Sequence, residues 1–525
     1  MKKFKNPILK GYYPDPSVCR VGEDYYLVNS SNAYFPGVPI FYSRDLVNWK
    51  QIGNVLNRES QLPLANAGVS RGIFAPTIRY HDGVFYMITT NVTSGGNFYV
   101  TTTDPAGEWS EPNYIINAPG IDPSLYFENG KCYYQGACEK VNGDYVGDNE
   151  IYLQELDLKE NRLVGERFII WHSAVRDAVW AESPHIFKKG EYYYLLTAEG
   201  GTEHDHAVVI ARSRTLTGYY EGNRQNPILT HRHLGKDYPI ANTGHGDMVK
   251  THDGEWWMVV LGSRPYGGRY RNLGRETFLV PVSWEDEWPV VNYGIGLVQE
   301  NERMPGIALE CVNSCVTNDR KYIFTEMDKL PFEMMFLRNP VFDDFKLNKD
   351  GLKINLSKNK IIEHEPVSFL CFRQQHKSYE LEAKFNFNPK DENEHVGICL
   401  FQNELYNYQF IVTRKENYER QIKLIKIENG NHTILSESNF PNDDVAKEVY
   451  FKIIAEEQML SFYYSKDGEI YKIAIKNVDA RILSTDVAGS FVGTTIGLYA
   501  TSNGKESKNE AVFKNLLHKP LIVEA

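Results

Sequence analysis

The sequence lacks any run of lysines and arginines, and its 57 Lys and Arg against 68 Asp and Glu leave a formal net charge of −11. That balance argues against nucleic acid as a partner. No apolar stretch approaches the length of a membrane span, and the basic start MKKFKNPILKGYY has no apolar segment of signal-peptide length. The cysteines Cys19, Cys132, Cys138, Cys311, Cys315, Cys371 and Cys399 are odd in number and show no C-x-x-C pair with nearby histidine. They predict reduced thiols in a cytoplasmic protein. Phosphate-loop and dinucleotide fingerprints are absent, and helical periodicity is nearly so.

Aromatic residues, by contrast, are plentiful: 34 Tyr, 26 Phe and 8 Trp. They suit strands and also supply flat apolar platforms for a ligand. A chain of 525 residues exceeds the size at which a single core stops growing, so two or more domains are expected.

One unit recurs along the first part of the chain. DPSVCRVGEDYYLVNSS follows Tyr12-Tyr13-Pro14, and its plan returns as APTIRYHDGVFYMITTN, DPSLYFENGKCYYQGA, SPHIFKKGEYYYLLTAE and HGDMVKTHDGEWWMVVLG. Each copy is a short strand, a turn glycine (Gly22, Gly83, Gly130, Gly190, Gly254) and an aromatic pair opening a second strand. Asp-Gly and Asn-Gly steps are strong hairpin signals. The copies start at 15, 75, 122, 183 and 245, spacings of 60, 47, 61 and 62 that leave room for a four-stranded sheet in each. Such repetition predicts a five-bladed β-propeller over residues 1–300, with each opening strand nearest the axis. Residues 301–338 read as an ordered linker. Beyond it, YELEAKFNF, VGICLFQN, YNYQFIVTR and VYFKIIAEE alternate apolar and polar residues, which predicts a jelly-roll-like β-sandwich over residues 339–525 with one face of each sheet buried. The expected class is all-β.

Blade-opening residues converge around a propeller axis. Two copies open with Asp15 and Asp122, the fourth is preceded by Glu182, and the fifth carries His245 and Asp247. Like charges gathered together repel and raise one another's pKa values, so structure gives no reason for three carboxylates there. Catalysis does: carboxyl groups with separated pKa values supply an acid and a base, the pair that glycoside hydrolysis needs. GGTEHDHA gathers His204, Asp205 and His206 but specifies no distant third ligand, and reads as a hydrogen-bonded loop. Arg275 beside Glu276 reads either as a surface ion pair or as a partner for a carboxylate or sugar.

YYPDPSV, GIDPSLYF and WAESPHIF, in this order and with YFPGVPIFYSRDLVNW, GIFAPTIRYHDGVFYMITTNV, AEGGT, TGHGDMV and LGRETFLVPVSW around them, resemble the blocks of glycoside hydrolase family 43. The similarity is strongest to the β-xylosidase and α-L-arabinofuranosidase branch with a C-terminal β-sandwich. It implies Asp15 as general base, Glu182 as general acid, and Asp122 as the residue that tunes and orients Glu182. Arg275, Phe35, Phe74, His206 and Phe491 become the candidate sugar contacts. His245 resembles an axial histidine that faces a central water or a structural calcium ion, the ion being reached through water; no cofactor is otherwise required. Where relatives commonly read Ser-Phe-Glu-Tyr-Phe-Pro-Gly, this chain has Ser31-Asn32-Ala33-Tyr34-Phe35-Pro36-Gly37, and Phe74 stands where many have Trp or Tyr.

The expected activity is inverting exo-hydrolysis of terminal β-D-xylosyl residues from small xylo-oligosaccharides. Alternatives are an α-L-arabinofuranosidase, a dual enzyme, or, from another class, a carbohydrate-binding propeller without catalysis. Self-association into a homo-oligomer is left open by the sequence.

Overall fold

The structure, a computed structural model, describes residues 2–308, 319–415, 419–441 and 448–521. Five four-stranded antiparallel sheets follow one another as blades, and every blade is laid down in chain order from the axis outward. The axial strands are Ser17–Val21, Thr77–His81, Ile121–Glu128, Glu182–Lys189 and Ala241–Lys250. Each predicted turn glycine has positive φ, from 60° at Gly190 to 102° at Gly254, which is why glycine recurs there.

The aromatic pairs hold neighbouring blades together. Alternation along a strand sends one ring of each pair into its own blade interface and the other across to the next. Tyr26 meets Phe85 with ring centroids 4.9 Å apart, Tyr86 meets Phe127 at 4.9 Å, Tyr126 meets Tyr193 at 6.1 Å and Phe187 meets Trp256 at 5.5 Å. Between the fifth and first blades, Trp257, Val259, Tyr25 and Leu27 share one buried cluster. Lys3–Lys5 pairs with Asn301–Arg303, so the two ends of the propeller close on each other.

Two eight-stranded sheets form the sandwich. Tyr379–Asn386 alternates strictly between buried and half-buried residues, as the sequence predicts. Thr495–Thr501 is buried at every position, because the outer face of its sheet packs against the propeller. One-sided burial therefore fails for that sheet. Its edge strand is Tyr34–Phe35, which leaves the first blade and pairs with Met335–Leu337. The expected linker is also more structured than predicted: Arg320–Ile323 and Met335–Leu337 already belong to the sandwich sheets. Residues 309–318 of that linker, with Cys311 and Cys315, lie outside the described residues. Cys19, Cys132, Cys138, Cys371 and Cys399 are free thiols.

Candidate active site

Three of the blade openings share an unusual backbone. Asp15, Asp122 and Ser183 each precede a proline and have φ of 52°, 53° and 54°. Proline disfavours the right-handed helical region for the residue before it, and the left-handed region accepts Asp more readily than most residues. In the third and fourth blades this turn sits inside a bulge, with pairing interrupted between Ile121 and Ser124 and between Glu182 and His185. Bulges re-aim side chains. Glu182 stands one residue ahead of its proline-preceding position, so Asp122 and Glu182 come from non-equivalent steps of the repeat yet meet: the Ser183 N–H donates to the Asp122 carboxyl. In the fifth blade His245, with φ of 48°, is flanked by Gly244 and Gly246. A Cβ on Gly244 would lie 2.3 Å from the His206 ring, so only glycine fits.

These turns deliver Asp15, Asp122, Glu182 and His245 to one cavity of about 720 Å³. Asp122, Glu182 and His245 place one donor atom each within 4.8 Å of one another. His245 Nδ1 lies 3.8 Å from Asp15 Oδ1, which also accepts from Arg275 Nη1 at 2.8 Å. Ser30 donates to the other Asp15 oxygen. One step deeper, Asp247 accepts from Ser17 Oγ and Arg79 Nη1, both at 2.8 Å, and Arg79 Nη2 lies 2.9 Å from His185 Nδ1. That network fixes four blades beneath the cavity and neutralises the fourth carboxylate.

The three cavity carboxyls have separated acidities. Burial pushes Asp15 up, but the Arg275 guanidinium and the Ser30 hydroxyl, among others, outweigh it and hold Asp15 below the usual carboxylate range. Burial raises Glu182 to about 7, with the negative charge of Asp15 adding to it and Arg275 opposing. Asp122 is pushed well above its ordinary value by burial and by the Glu182 and Asp15 charges. Burial lowers His245, which keeps the imidazole neutral. A base and an acid therefore face one another across a site that can hold a small polyhydroxylated ligand.

The expected sugar contacts divide. Arg275, just ahead of the strand Glu276–Glu285, lines the cavity and pairs with Asp15 rather than with Glu276. Glu276 is fully buried and pairs instead with Arg264 at 2.7 Å. Phe74 and Phe491 form the aromatic wall, with centroids 6.4 Å apart at 81°. Phe491 comes from the sandwich, held by a Ser70 Oγ bond to its N–H at 3.0 Å. Phe35 does not line the cavity; it is 1% exposed, packs on Phe342 and belongs to the core shared by both domains. His206 lies behind the site rather than in it: it is buried, and its Nδ1 sits 3.0 Å from the Asn242 carbonyl. His204 and Asp205 reach the rim, so the loop is not a histidine ligand cluster. Trp180, Asn32, Thr202 and Lys236 also line the cavity and were not among the expected site residues. Of these, Trp180 carried the clearest signal, a tryptophan two residues before Glu182.

Residues 4–289 match the family model for Glycosyl hydrolases family 43. The chain belongs to this family. It is a glycoside hydrolase by that membership. Residues 322–517 match the Beta xylosidase C-terminal Concanavalin A-like domain. A Butyrivibrio fibrisolvens protein named xylosidase/arabinosidase is 46% identical over 508 residues, 96% of this chain and 97% of its own length. A non-reducing end alpha-L-arabinofuranosidase of Bacteroides ovatus is 36% identical over 523 residues, 98% of this chain and 94% of its own. The solved structure of a xylan beta-1,4-xylosidase from Bacillus halodurans superposes with a TM-score of 0.90 at 30% identity, covering 98% of this chain and all of that one.

For this family 43 chain the donor set does not fit a directly bound calcium ion. Asp122, Glu182 and His245 offer two carboxyl oxygens and one nitrogen, whereas calcium takes six to eight oxygens.

Proposed function

We propose that the chain is an inverting exo-glycosidase that releases terminal non-reducing β-D-xylosyl residues from xylo-oligosaccharides. The observation that carries this reading is the split between Asp15, held ionised by Arg275, and Glu182, raised to about 7. Asp15 takes a proton from a water whose oxygen attacks the anomeric carbon. Glu182 gives its proton to the glycosidic oxygen as that C–O bond breaks on the opposite face. Exchange with solvent then returns both groups to their starting states. Asp122 acts as a positioning residue through the Ser183 N–H, and its raised pKa leaves Asp15 as the negative neighbour that Glu182 feels. Exo action is supported by the walling of the cavity, with Phe491 of the sandwich on one side.

A second pentose is favoured by the relatives, one named xylosidase/arabinosidase and another alpha-L-arabinofuranosidase. In that reading the same acid and base serve an α-L-arabinofuranosyl group, alone or beside xylose. Comparing kcat/KM on the two nitrophenyl pentosides decides between them. Proton NMR of fresh product tests the stereochemistry: a β-xyloside should release α-xylose first, and β-xylose would overturn inversion.

A further inference from the structure

The cavity mouth carries two exposed aromatic side chains, and they sit with opposite halves of the chemistry. Phe491, 47% exposed, packs on Phe74 and lies 5.8 Å from the Arg275 guanidinium, beside the base Asp15. Trp180, 45% exposed, is two residues from the acid Glu182, and the intervening Ala181 is buried. An indole left this open at a cavity is a large apolar surface without a protein partner on that side.

Its placement is built. Trp180 has φ of 51°, a conformation that bulky residues adopt only when their surroundings impose it. Here its N–H donates to the Gly147 carbonyl at 2.7 Å, and the Gly200 N–H donates to the carbonyl of Val179 at 2.8 Å. Tyr145 donates its hydroxyl proton to the carbonyl of Ala178 at 2.9 Å. The indole rests on two glycines. A Cβ on Gly147 would come within 2.9 Å of Nε1, and one on Gly201 within 2.7 Å of Cε3. Both glycines have positive φ, 83° and 69°. Backbone thus supports the ring from the pyrrole end to the benzene end, and the uncovered part lines the cavity.

We infer that Trp180 is the platform for the leaving sugar, stacking on its pyranose ring while Glu182 protonates the bridging oxygen. The inference rests on the proposed glycosidase reading. The acid must reach the glycosidic oxygen, so the departing ring lies on the Glu182 side, where Trp180 is the exposed aromatic. Phe74 and Phe491 then serve the terminal sugar, whose anomeric carbon is attacked. Trp180 sets preference among leaving groups: a pyranose gains a stacking partner, and a small alcohol does not.

The test compares leaving groups. Wild type, Trp180→Ala and Trp180→Phe are assayed on xylobiose and on 2,2,2-trifluoroethyl β-D-xyloside, with the corresponding pair of α-L-arabinofuranosides run in parallel. Trp180→Ala should lower the ratio of kcat/KM for the disaccharide over the alkyl glycoside about tenfold, the upper range for an aromatic contact, chiefly through KM. Trp180→Phe should restore most of that ratio. The alkaline limb of the pH profile on the alkyl glycoside should stay in place, which a merely structural disturbance of Glu182 would move. An unchanged ratio, or a shifted alkaline limb with equal losses on both substrates, overturns the inference and leaves the function standing. Wild-type enzyme that turns over none of these glycosides overturns the function, and the platform with it.

Discussion

The residues that set the chemistry are those whose acidities the fold has moved apart. Asp15 must be ionised, and its pKa is lowered; Glu182 must hold a proton, and its pKa is raised to about 7. Turnover should rise with pH as Asp15 ionises, below the ordinary carboxylate range, and fall as pH passes about 7 and Glu182 loses its proton. The Arg275 charge lowers both groups, so Arg275→Met should move both limbs of the kcat/KM profile to higher pH; limbs that stay in place would sink this account. Glu182→Gln should cost about 10²–10⁴-fold on xylobiose but far less on a dinitrophenyl xyloside, whose leaving group needs no proton. Asp15→Asn should be poor on both. The three carboxyls were legible in the sequence because each lies at a blade opening, Asp15 and Asp122 directly before a proline and Glu182 one residue earlier. Phe35 and His206 were not, since a residue type beside a motif does not say which way its side chain faces. Trp180 was visible in the sequence two residues before Glu182, but the support its ring takes from Gly147, distant in sequence, was not.

Strands and turns were readable wherever glycine and aromatic residues marked a hairpin, and unreadable where an element is too short to show a period. Tyr34–Phe35 has two residues, yet it leaves the first blade and completes a sheet of the sandwich. The linker prediction failed for the same reason: Met335–Leu337 is three residues long, and its pairing partners are remote in the chain. This crossing strand assigns Phe35 a structural role. Phe35→Ala should destabilise the protein by about 3–5 kcal/mol, the usual cost of emptying an aromatic site in a core, measured by urea unfolding. KM on a pentoside should change by less than about twofold. The reverse pattern, raised KM at unchanged stability, would return Phe35 to the sugar pocket.

At the scale of the whole molecule, propeller and sandwich share one apolar core in which Val28, Phe35, Ile78 and Phe85 join Phe372, Leu381 and Phe410. A second cluster spans the boundary through Tyr12, Tyr34, Val492 and Tyr499. Polar contacts cross there as well. Arg338, 1% exposed, donates to Glu404 at 2.8 Å and to the propeller carbonyl of Ala67 at 3.0 Å, while Glu404 accepts from the Val69 N–H at 3.1 Å. Removing one partner of such a buried pair leaves an uncompensated charge and costs about 3–5 kcal/mol. Separating the domains would expose both clusters and unpair this network together, so neither half has a cheap way to unfold first. Calorimetry should therefore show a single transition with matching calorimetric and van't Hoff enthalpies. Activity should vanish in that same transition, because Phe491 of the sandwich forms part of the pocket wall. Two separated transitions, with pentoside hydrolysis surviving the first, would mean that the sandwich is an independent appendage and that the propeller alone completes the site.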